Sequence, residues 1–463
     1  MSYYASINPA TGERVREFDR ATDAEIESAL TGAATAYREW REVSVAERAD
    51  TLRLLAKAWR DHLGELAPIL TVEVGKPISQ ARAEVSLCAD IFEYYADQGP
   101  VFLEDEVLSI AGGGTAVVRT EPIGPLMGVM PWNFPYYQVV RFAAPNLISG
   151  NTLVLKHARN CPQSALAICR MFAVAGLPDG VYVNVFADSG QVGRMIADPR
   201  IRGVSLTGSE RAGSAVAEIA GRHLKKFVLE LGGSDPFLVL DDTDLDEVVS
   251  AAVDNRLYNA GQACTASKRF LVLDQVYDRF LTKFTEAMAS VAPADPTDPS
   301  TTLGPLSSPG AVDELDEQVA DAVTKGAQLL TGGHRPQGGA GAFYEPTVLA
   351  GVTPQMRAYH EELFGPVAVV HRVRSEDDAI AAANESPFGL GAAVFTGDPQ
   401  QARRVAERLD VGMAWINGTS KSSPDLPFGG AKSSGVGREL GRYGIDEFTN
   451  KKLIRTVRSL TVR

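Results

Sequence analysis

The chain has 463 residues and a net charge of −13, with 45% hydrophobic and 22% charged residues. That length exceeds one ordinary core, so two or three domains of globular composition are expected. The acidic balance offers no basic field, so neither nucleic acid nor an anionic membrane is expected as a partner.

Residues Met1 to Asn8 lack a basic start and an apolar core, so no signal peptide is expected. No uncharged stretch reaches the roughly 20 apolar residues of a spanning helix. Residues 8–103 read mainly as helices. Asp23 opens a segment with Ile26, Leu30 and Ala33 on one face, and residues 46–69 continue with Leu52, Leu55, Trp59 and Leu63. Residues 73–95 repeat the pattern and carry Cys88 on its apolar face. Near Glu106 the texture changes, and residues 109–118 form two strand-like runs about Gly112-Gly113-Gly114.

From Pro125 strands and helices alternate. Residues 126–130, 151–156, 181–186, 204–207 and 226–231 are strand candidates, with helices at 163–175, 191–197 and 210–224. Such alternation predicts a parallel, doubly wound sheet. Residues 241–450 repeat it and predict a second α/β domain, interrupted by a Pro-, Asp-, Thr- and Ser-rich loop at 293–309. The last run, Lys452 to Leu460, reads as a strand whose interspersed charges suit an exposed edge. The four cysteines, Cys88, Cys161, Cys169 and Cys264, show no CxxC or CxxH spacing, so neither a metal site nor a disulfide framework is expected. A reducing cytoplasm fits them best.

Three short segments carry chemistry. Cys264 lies in Gly261-Gln262-Ala263-Cys264-Thr265-Ala266-Ser267-Lys268-Arg269, where small neighbours leave its sulfur open to a substrate. Glu230 ends an apolar run in Leu229-Glu230-Leu231-Gly232-Gly233, and Asn133 is held between prolines and aromatics in Pro131-Trp132-Asn133-Phe134-Pro135. A thiol, a carboxylate and an amide can serve as nucleophile, base and oxyanion donor. Taken singly, each has a plainer reading: a small buried hydrophobe, a strand-end carboxylate and a turn residue.

Together the three segments resemble the aldehyde dehydrogenase superfamily, whose members carry GQxC, LELGG and PWNFP at matching spacing. The resemblance implies an α/β fold of two doubly wound domains with a β-hairpin oligomerisation arm. It places the dinucleotide-binding domain at 1–103 and 122–231, the catalytic domain at 232–446, and the arm at 104–121 and 447–463. A homodimer or homotetramer is implied. The implied reaction is attack of Cys264 on an aldehyde carbon, with the oxyanion held by the Asn133 amide and the Cys264 backbone N–H. Hydride transfer to a nicotinamide then leaves a thioester, and Glu230 activates the water that releases the acid.

No GxGxxG follows a strand, and Asp188-Ser189-Gly190-Gln191-Val192-Gly193 keeps only two of its glycines. A strand passes into a helix at Thr207-Gly208-Ser209-Glu210, where free N–H groups and the Ser209 hydroxyl can receive a pyrophosphate. The same place reads alone as a helix cap. The resemblance assigns it to the phosphates, with Trp132 nearby, Lys156 to the adenosine ribose, Glu362 to the nicotinamide ribose and Phe364 to support of the ring. Arg159 stands where many NAD-using relatives carry Glu. An arginine there removes repulsion of a 2′-phosphate and offers it a planar fork, so NADP is the expected cofactor with NAD the alternative. His157 replaces the commoner Pro and is read as packing.

The wording of residues 157–158, 233–237, 416–418 and 428–430 is most similar to the succinate-semialdehyde dehydrogenase branch. By that resemblance Arg141 faces a distal carboxylate, Tyr137 forms a wall, and Ser422 lies in the loop that closes the pocket. Some members carry a second Arg six positions before the nucleophile, where this chain has Tyr258. Another small aliphatic or aromatic aldehyde stays open as the substrate. Two other classes also stay open. A Cys/His hydrolase needs an imidazole near Cys264, from His62, His157, His223, His334, His360 or His371. A non-catalytic protein on the same fold would fit loss of the thiol, base or amide, and all three are present.

Overall fold

A computed structural model describes residues 4–111, 113–337 and 341–457. Helix Asp23–Trp40 is opened by a capping box between Thr22 and Glu25, and helix Val45–Asp61 by one between Ser44 and Glu47. Each satisfies N–H groups that the first turn leaves without partners. The apolar faces foreseen from the sequence are buried, with Leu52, Leu55 and Trp59 fully covered.

The single helix expected over 46–69 is broken at His62, whose Nδ1 lies 2.9 Å from the Ala58 carbonyl, and resumes as Leu63–Val74. The helix expected at 73–95 instead runs over Ile78–Phe102. Gly75 stops the preceding helix in a left-handed conformation (φ 76°), and Pro77 caps the next one. A side chain at Gly75 would collide with Pro305 and Pro9, so the break also packs against a distant loop.

The first large sheet has six strands in the order Gly435–Val436, Lys226–Glu230, Gly203–Thr207, Pro125–Val129, Thr152–Lys156 and Tyr182–Asn184. All pairings are parallel except that of Gly435–Val436, which sets Gly435 opposite Glu230. Chain order reverses between Pro125–Val129 and Gly203–Thr207, and a doubly wound sheet opens a crevice at the carboxyl ends of such strands. Asn133, Lys156, Gly208 and Glu230 all follow or end these strands.

The second sheet has seven strands, Gln328–Thr331, Thr347–Ala350, Val367–Val373, Arg269–Leu273, Pro236–Val239, Gly391–Phe395 and Met413–Ile416, and only the first runs antiparallel. Phe237, Phe270, Phe280, Phe284 and Phe395 pack between this sheet and its helices. Cys264 lies in the connection that enters the central strand Arg269–Leu273.

The hairpin differs from expectation. Glu106–Val107, rather than residues 109–111, pairs with Thr115–Pro122, and the opposite edge of Thr115–Pro122 is filled by Thr449–Thr456 of the same chain. The two segments foreseen as separate free edges therefore complete one three-stranded sheet. Gly112 of the expected turn, residues 458–460 of the expected last strand and Met1–Tyr3 lie outside the described residues.

Candidate active site

The connection bearing Cys264 is held by buried cations. It begins in a tight turn, Tyr258–Gly261, in which Asn259 and Ala260 both adopt positive φ (51° and 55°). Left-handed backbone at an alanine costs about 1–2 kcal/mol, so neighbouring bonds must hold it. Arg256 supplies two of them, donating to the Gly261 carbonyl at 2.7 Å and the Ser267 carbonyl at 3.0 Å. Lys268 donates to the carbonyls of Ala263, Cys264 and Ala266 at 3.0–3.2 Å. Burial pushes the Cys264 thiol up to about 12, while the charges of Arg141 and Lys268 pull the other way.

Asn133 meets this connection directly. Its side-chain N–H donates to the Gln262 carbonyl at 3.0 Å, and its side-chain oxygen accepts from Gln138 Nε2 at 3.0 Å. The Gln138 bond fixes which way the amide faces: oxygen toward Gln138, NH₂ toward the cysteine connection. An amide NH₂ has two protons, so one remains for an oxyanion. Asn259 Nδ2 also donates to the Asn133 carbonyl at 3.0 Å, tying the two segments together.

Glu230 ends its strand only 2% exposed, and neither carboxylate oxygen has a hydrogen-bond partner among the described residues. Burial raises its pKa well above the carboxylate range; Arg141 works against that rise and Glu439 adds to it. Gly429 lies so close that a Cβ there would sit 2.8 Å from Glu230 Oε1. No hydrogen bond joins Glu230 to Cys264, so proton transfer between them requires a bridging water or a side-chain rotation.

Tyr137, Arg141 and Ser422 are brought together. Tyr137 OH donates to Ser422 Oγ at 2.9 Å, and Arg141 Nη1 approaches Tyr137 OH at 3.4 Å. Arg141 itself lies one layer further back than expected. It is 1% exposed, forms an ion pair with Glu439, donates to Thr207 Oγ1 at 3.2 Å, and stacks over the Phe428 ring at 4.4 Å. A cation this deeply buried needs a counter-charge, and Glu439 provides it. Tyr258, in place of a second arginine, stacks on Phe134 at 5.8 Å.

A cavity of about 630 Å³ is lined by Trp132, Ser209, Gly232, Glu362 and Phe364 among others. It therefore gathers four of the predicted cofactor residues from both halves of the chain. Trp132 and Phe364 meet edge to face at 5.7 Å, and Glu362 accepts from the Gly233 N–H at 3.0 Å. Ser209 caps helix Glu210–Arg222, accepting from Ala212 N at 3.4 Å. The Gly208 N–H differs from expectation: it donates to the Glu230 carbonyl at 2.9 Å and is not free for a phosphate. Lys156 and Arg159 do not line this cavity. Burial lowers the Lys156 ammonium to about 8, and Nζ lies 5.9 Å from the centre of the Tyr4 ring. Arg159 is exposed on the turn that follows. The concave, aromatic-flanked cavity at a capped helix start fits the nicotinamide and phosphate part of a dinucleotide.

His157 is a packing residue. Nδ1 accepts from Ala158 N at 2.7 Å, so Nε2 carries the proton and donates to the Pro135 carbonyl at 2.8 Å. Among the described residues no imidazole is hydrogen-bonded to Cys264, and no group of His, Cys, Asp and Glu is arranged to hold a metal. Among the described residues no helix is long and apolar enough to cross a membrane. The cysteine motif contains Lys268 without a role assigned to it from sequence, and Gln138, Arg256, Glu439 and Glu84 were passed over. Only Lys268 had a local signal, a charge inside the cysteine motif.

A connection bearing a buried thiol, an oriented amide and a cavity for part of a dinucleotide fit the site of a cofactor-dependent enzyme. The chain matches the aldehyde dehydrogenase family over residues 2–454 and belongs to it, an NAD(P)-dependent oxidoreductase. It is 55% identical to a succinate-semialdehyde dehydrogenase (NADP(+)) of Deinococcus radiodurans, over 98% of this chain and 94% of that one. It is 46% identical to a succinate semialdehyde dehydrogenase (NAD(P)+) of Escherichia coli K12, over 96% of each. The solved succinic semialdehyde dehydrogenase from Streptococcus pyogenes, in complex with NADP+, superposes with a TM-score of 0.95 at 44% identity, covering 97% of this chain and 99% of that one.

Proposed function

We propose that the chain oxidises succinate semialdehyde to succinate with NADP as the hydride acceptor. The observation that carries the substrate reading is the chain of contacts Ser422–Tyr137–Arg141. Tyr137 and Phe428 belong to the apolar cluster against which Cys264 packs. The two hydroxyls thus lie in line beside the cysteine's apolar surroundings, with the buried Arg141 guanidinium at the inner end. A distal carboxylate can accept from the Ser422 hydroxyl, which itself accepts from Tyr137, while Arg141 behind Tyr137 polarises that chain. The relatives that share nearly the full length carry the same substrate in their names.

The residues divide the work as follows. Cys264 loses its thiol proton through a bridging water to Glu230, which releases it to solvent, and the thiolate attacks the aldehyde carbon while the second Asn133 N–H with the Cys264 backbone N–H holds the oxyanion. A bound nicotinamide supplies the acceptor for the hydride that leaves this carbon. The resulting thioester is cleaved by water, which passes its proton to Glu230, and the acid departs with Cys264 restored. Glu362, Trp132, Ser209 and Phe364 hold the cofactor in the cavity they line. Residues 1–103 and 122–231 serve as the cofactor domain and 232–446 as the catalytic domain. The enzyme works in the cytoplasm as a homodimer or homotetramer.

The test follows reduced nicotinamide by absorbance across several aldehydes with NAD and NADP. Succinate semialdehyde should give the highest kcat/KM. NADP should be preferred by roughly tenfold to a hundredfold, the worth of one charge-assisted pair between Arg159 and the 2′-phosphate. Arg159→Glu should reverse that order. A wild-type preference for NAD, or a ratio unchanged in Arg159→Glu, refutes the cofactor reading, and a carboxylate-free aldehyde as best substrate refutes the substrate reading.

A further inference from the structure

Lys268 is 1% exposed, and its ammonium faces four acceptors: the carbonyls of Ala263, Cys264 and Ala266, and Glu362 Oε1 at 3.3 Å. A carbonyl can only accept. A neutral amine would bring two protons to four acceptors and turn its own lone pair toward oxygen, whereas the ammonium brings three protons. Burial lowers the Lys268 ammonium below its usual value, and Glu362 and these acceptors hold the charge against it, in contact with the nucleophile's own carbonyl on one side and with a carboxylate of the cofactor cavity on the other.

We propose that Lys268 is a positioning residue that sets how readily the Cys264 thiol ionises, and that Glu362 opposes it. The proposal rests on Cys264 being the nucleophile assigned above. The charged groups around the thiol are Arg141, Lys268, Glu362 and Asp235. Those around Lys268 are Glu362, Arg256, Asp235 and Cys264. Arg141 is neutralised by Glu439. Asp235 accepts from the Gly391 N–H at 3.0 Å, and Arg256 is turned to two carbonyls of the cysteine connection. The Lys268–Glu362 pair is thus the one that links the nucleophile's carbonyl to the cofactor cavity. Its two members act on the thiol with opposite sign: the cation favours the thiolate, the carboxylate disfavours it. Any hydroxyl group that engages Glu362 in the cavity alters this balance.

The experiment measures the rate of iodoacetamide alkylation against pH on the full chain without cofactor, in the wild type and in K268M, K268R and E362Q. C264A supplies the background from Cys88, Cys161 and Cys169. The midpoint of the Cys264 profile should rise by about one unit or more in K268M and return close to wild type in K268R, the usual size of the effect of a charge within 4–6 Å. In E362Q it should fall, so that alkylation at neutral pH is faster than in the wild type. A purely structural role predicts no shift in K268M, or shifts of the same sign in K268M and E362Q, and either result overturns the proposal. If circular dichroism shows that K268M does not fold, E362Q decides alone: a lower midpoint supports the proposal, and an unchanged or higher one overturns it. If C264A is alkylated as fast as the wild type, the assignment of the nucleophile fails, and the proposal fails with it.

Discussion

The side-chain amide of Asn133 has two N–H groups, and one is already committed to the Gln262 carbonyl. The other can serve an oxyanion only while the amide keeps its orientation, which Gln138 secures from the first turn of the next helix. Removing an oxyanion donor outright lowers kcat by about 10²–10³. Gln138→Leu, which removes the clamp but leaves the donor, should cost less, about tenfold in kcat with KM near wild type. Steady-state kinetics check this, and a change confined to KM would place Gln138 in substrate binding instead. Glu230 gives a second prediction at this scale. Its folded pKa lies above the unfolded value, so the folded state holds an extra proton from about pH 4.5 upward. Stability contributed by the protonated form is then lost as pH rises toward the folded pKa. Glu230→Gln cannot ionise, so its Tm should exceed that of the wild type by a margin that grows as pH rises through this window. Thermal melts at several pH values test the sign. Cys264, Glu230 and Asn133 stand out in the sequence as candidates because each lies in a short motif. The roles of Lys268 and Gln138 could not, because a role depends on partners: Lys268 meets Glu362 across a long span of chain, and Gln138 acts only through Asn133.

At the scale of elements, the loop bearing Asn133 is held from below by a buried ion pair. Lys76 and Glu84 are paired with almost no exposure, Lys76 Nζ lies 3.8 Å from the centre of the Phe134 ring, and Glu84 Oε1 accepts from the N–H groups of Tyr136 and Tyr137. Glu84 thus caps helix Tyr137–Ser149 while neutralising a cation under the aromatic of the same loop. Glu84→Gln keeps the shape but leaves Lys76 without its counter-charge, a loss of about 3–5 kcal/mol for a broken buried pair. Denaturant unfolding should show that drop, and Lys76→Met combined with Glu84→Gln should recover part of it. The helices themselves were legible from apolar spacing, but their ends were not. His62 and Gly75 interrupt patterns that the apolar residues continue, and the left-handed turn that stops the helix at Gly75 sits where Pro9 and Pro305 leave no room for a side chain. The hairpin was misread for the same reason. The partner that fills the edge of Thr115–Pro122 is Thr449–Thr456, at the other end of the chain, and no local pattern announces it.

On the scale of the whole molecule, that three-stranded sheet is under-supported. Of strand Thr449–Thr456 only Thr449 is buried, and Val107, Leu453 and Val457 are 76%, 60% and 66% exposed. A small sheet without an apolar face packed on something is marginal in water. Its outer strands also present backbone groups that another chain can pair with. A second copy of this chain is the partner that meets both needs, and a symmetric assembly covers the patch once per subunit. The wild type should therefore scatter light as a dimer or tetramer at micromolar concentration. Placing charges on the exposed apolar positions, Leu453→Asp with Val457→Asp, should shift it toward monomer while leaving Cys264 alkylation unchanged, because the cysteine connection is held by Arg256 and Lys268 within one chain. A monomeric wild type, or an unchanged mass in the double variant, would mean that the exposed sheet is covered by something other than a second copy, or by nothing.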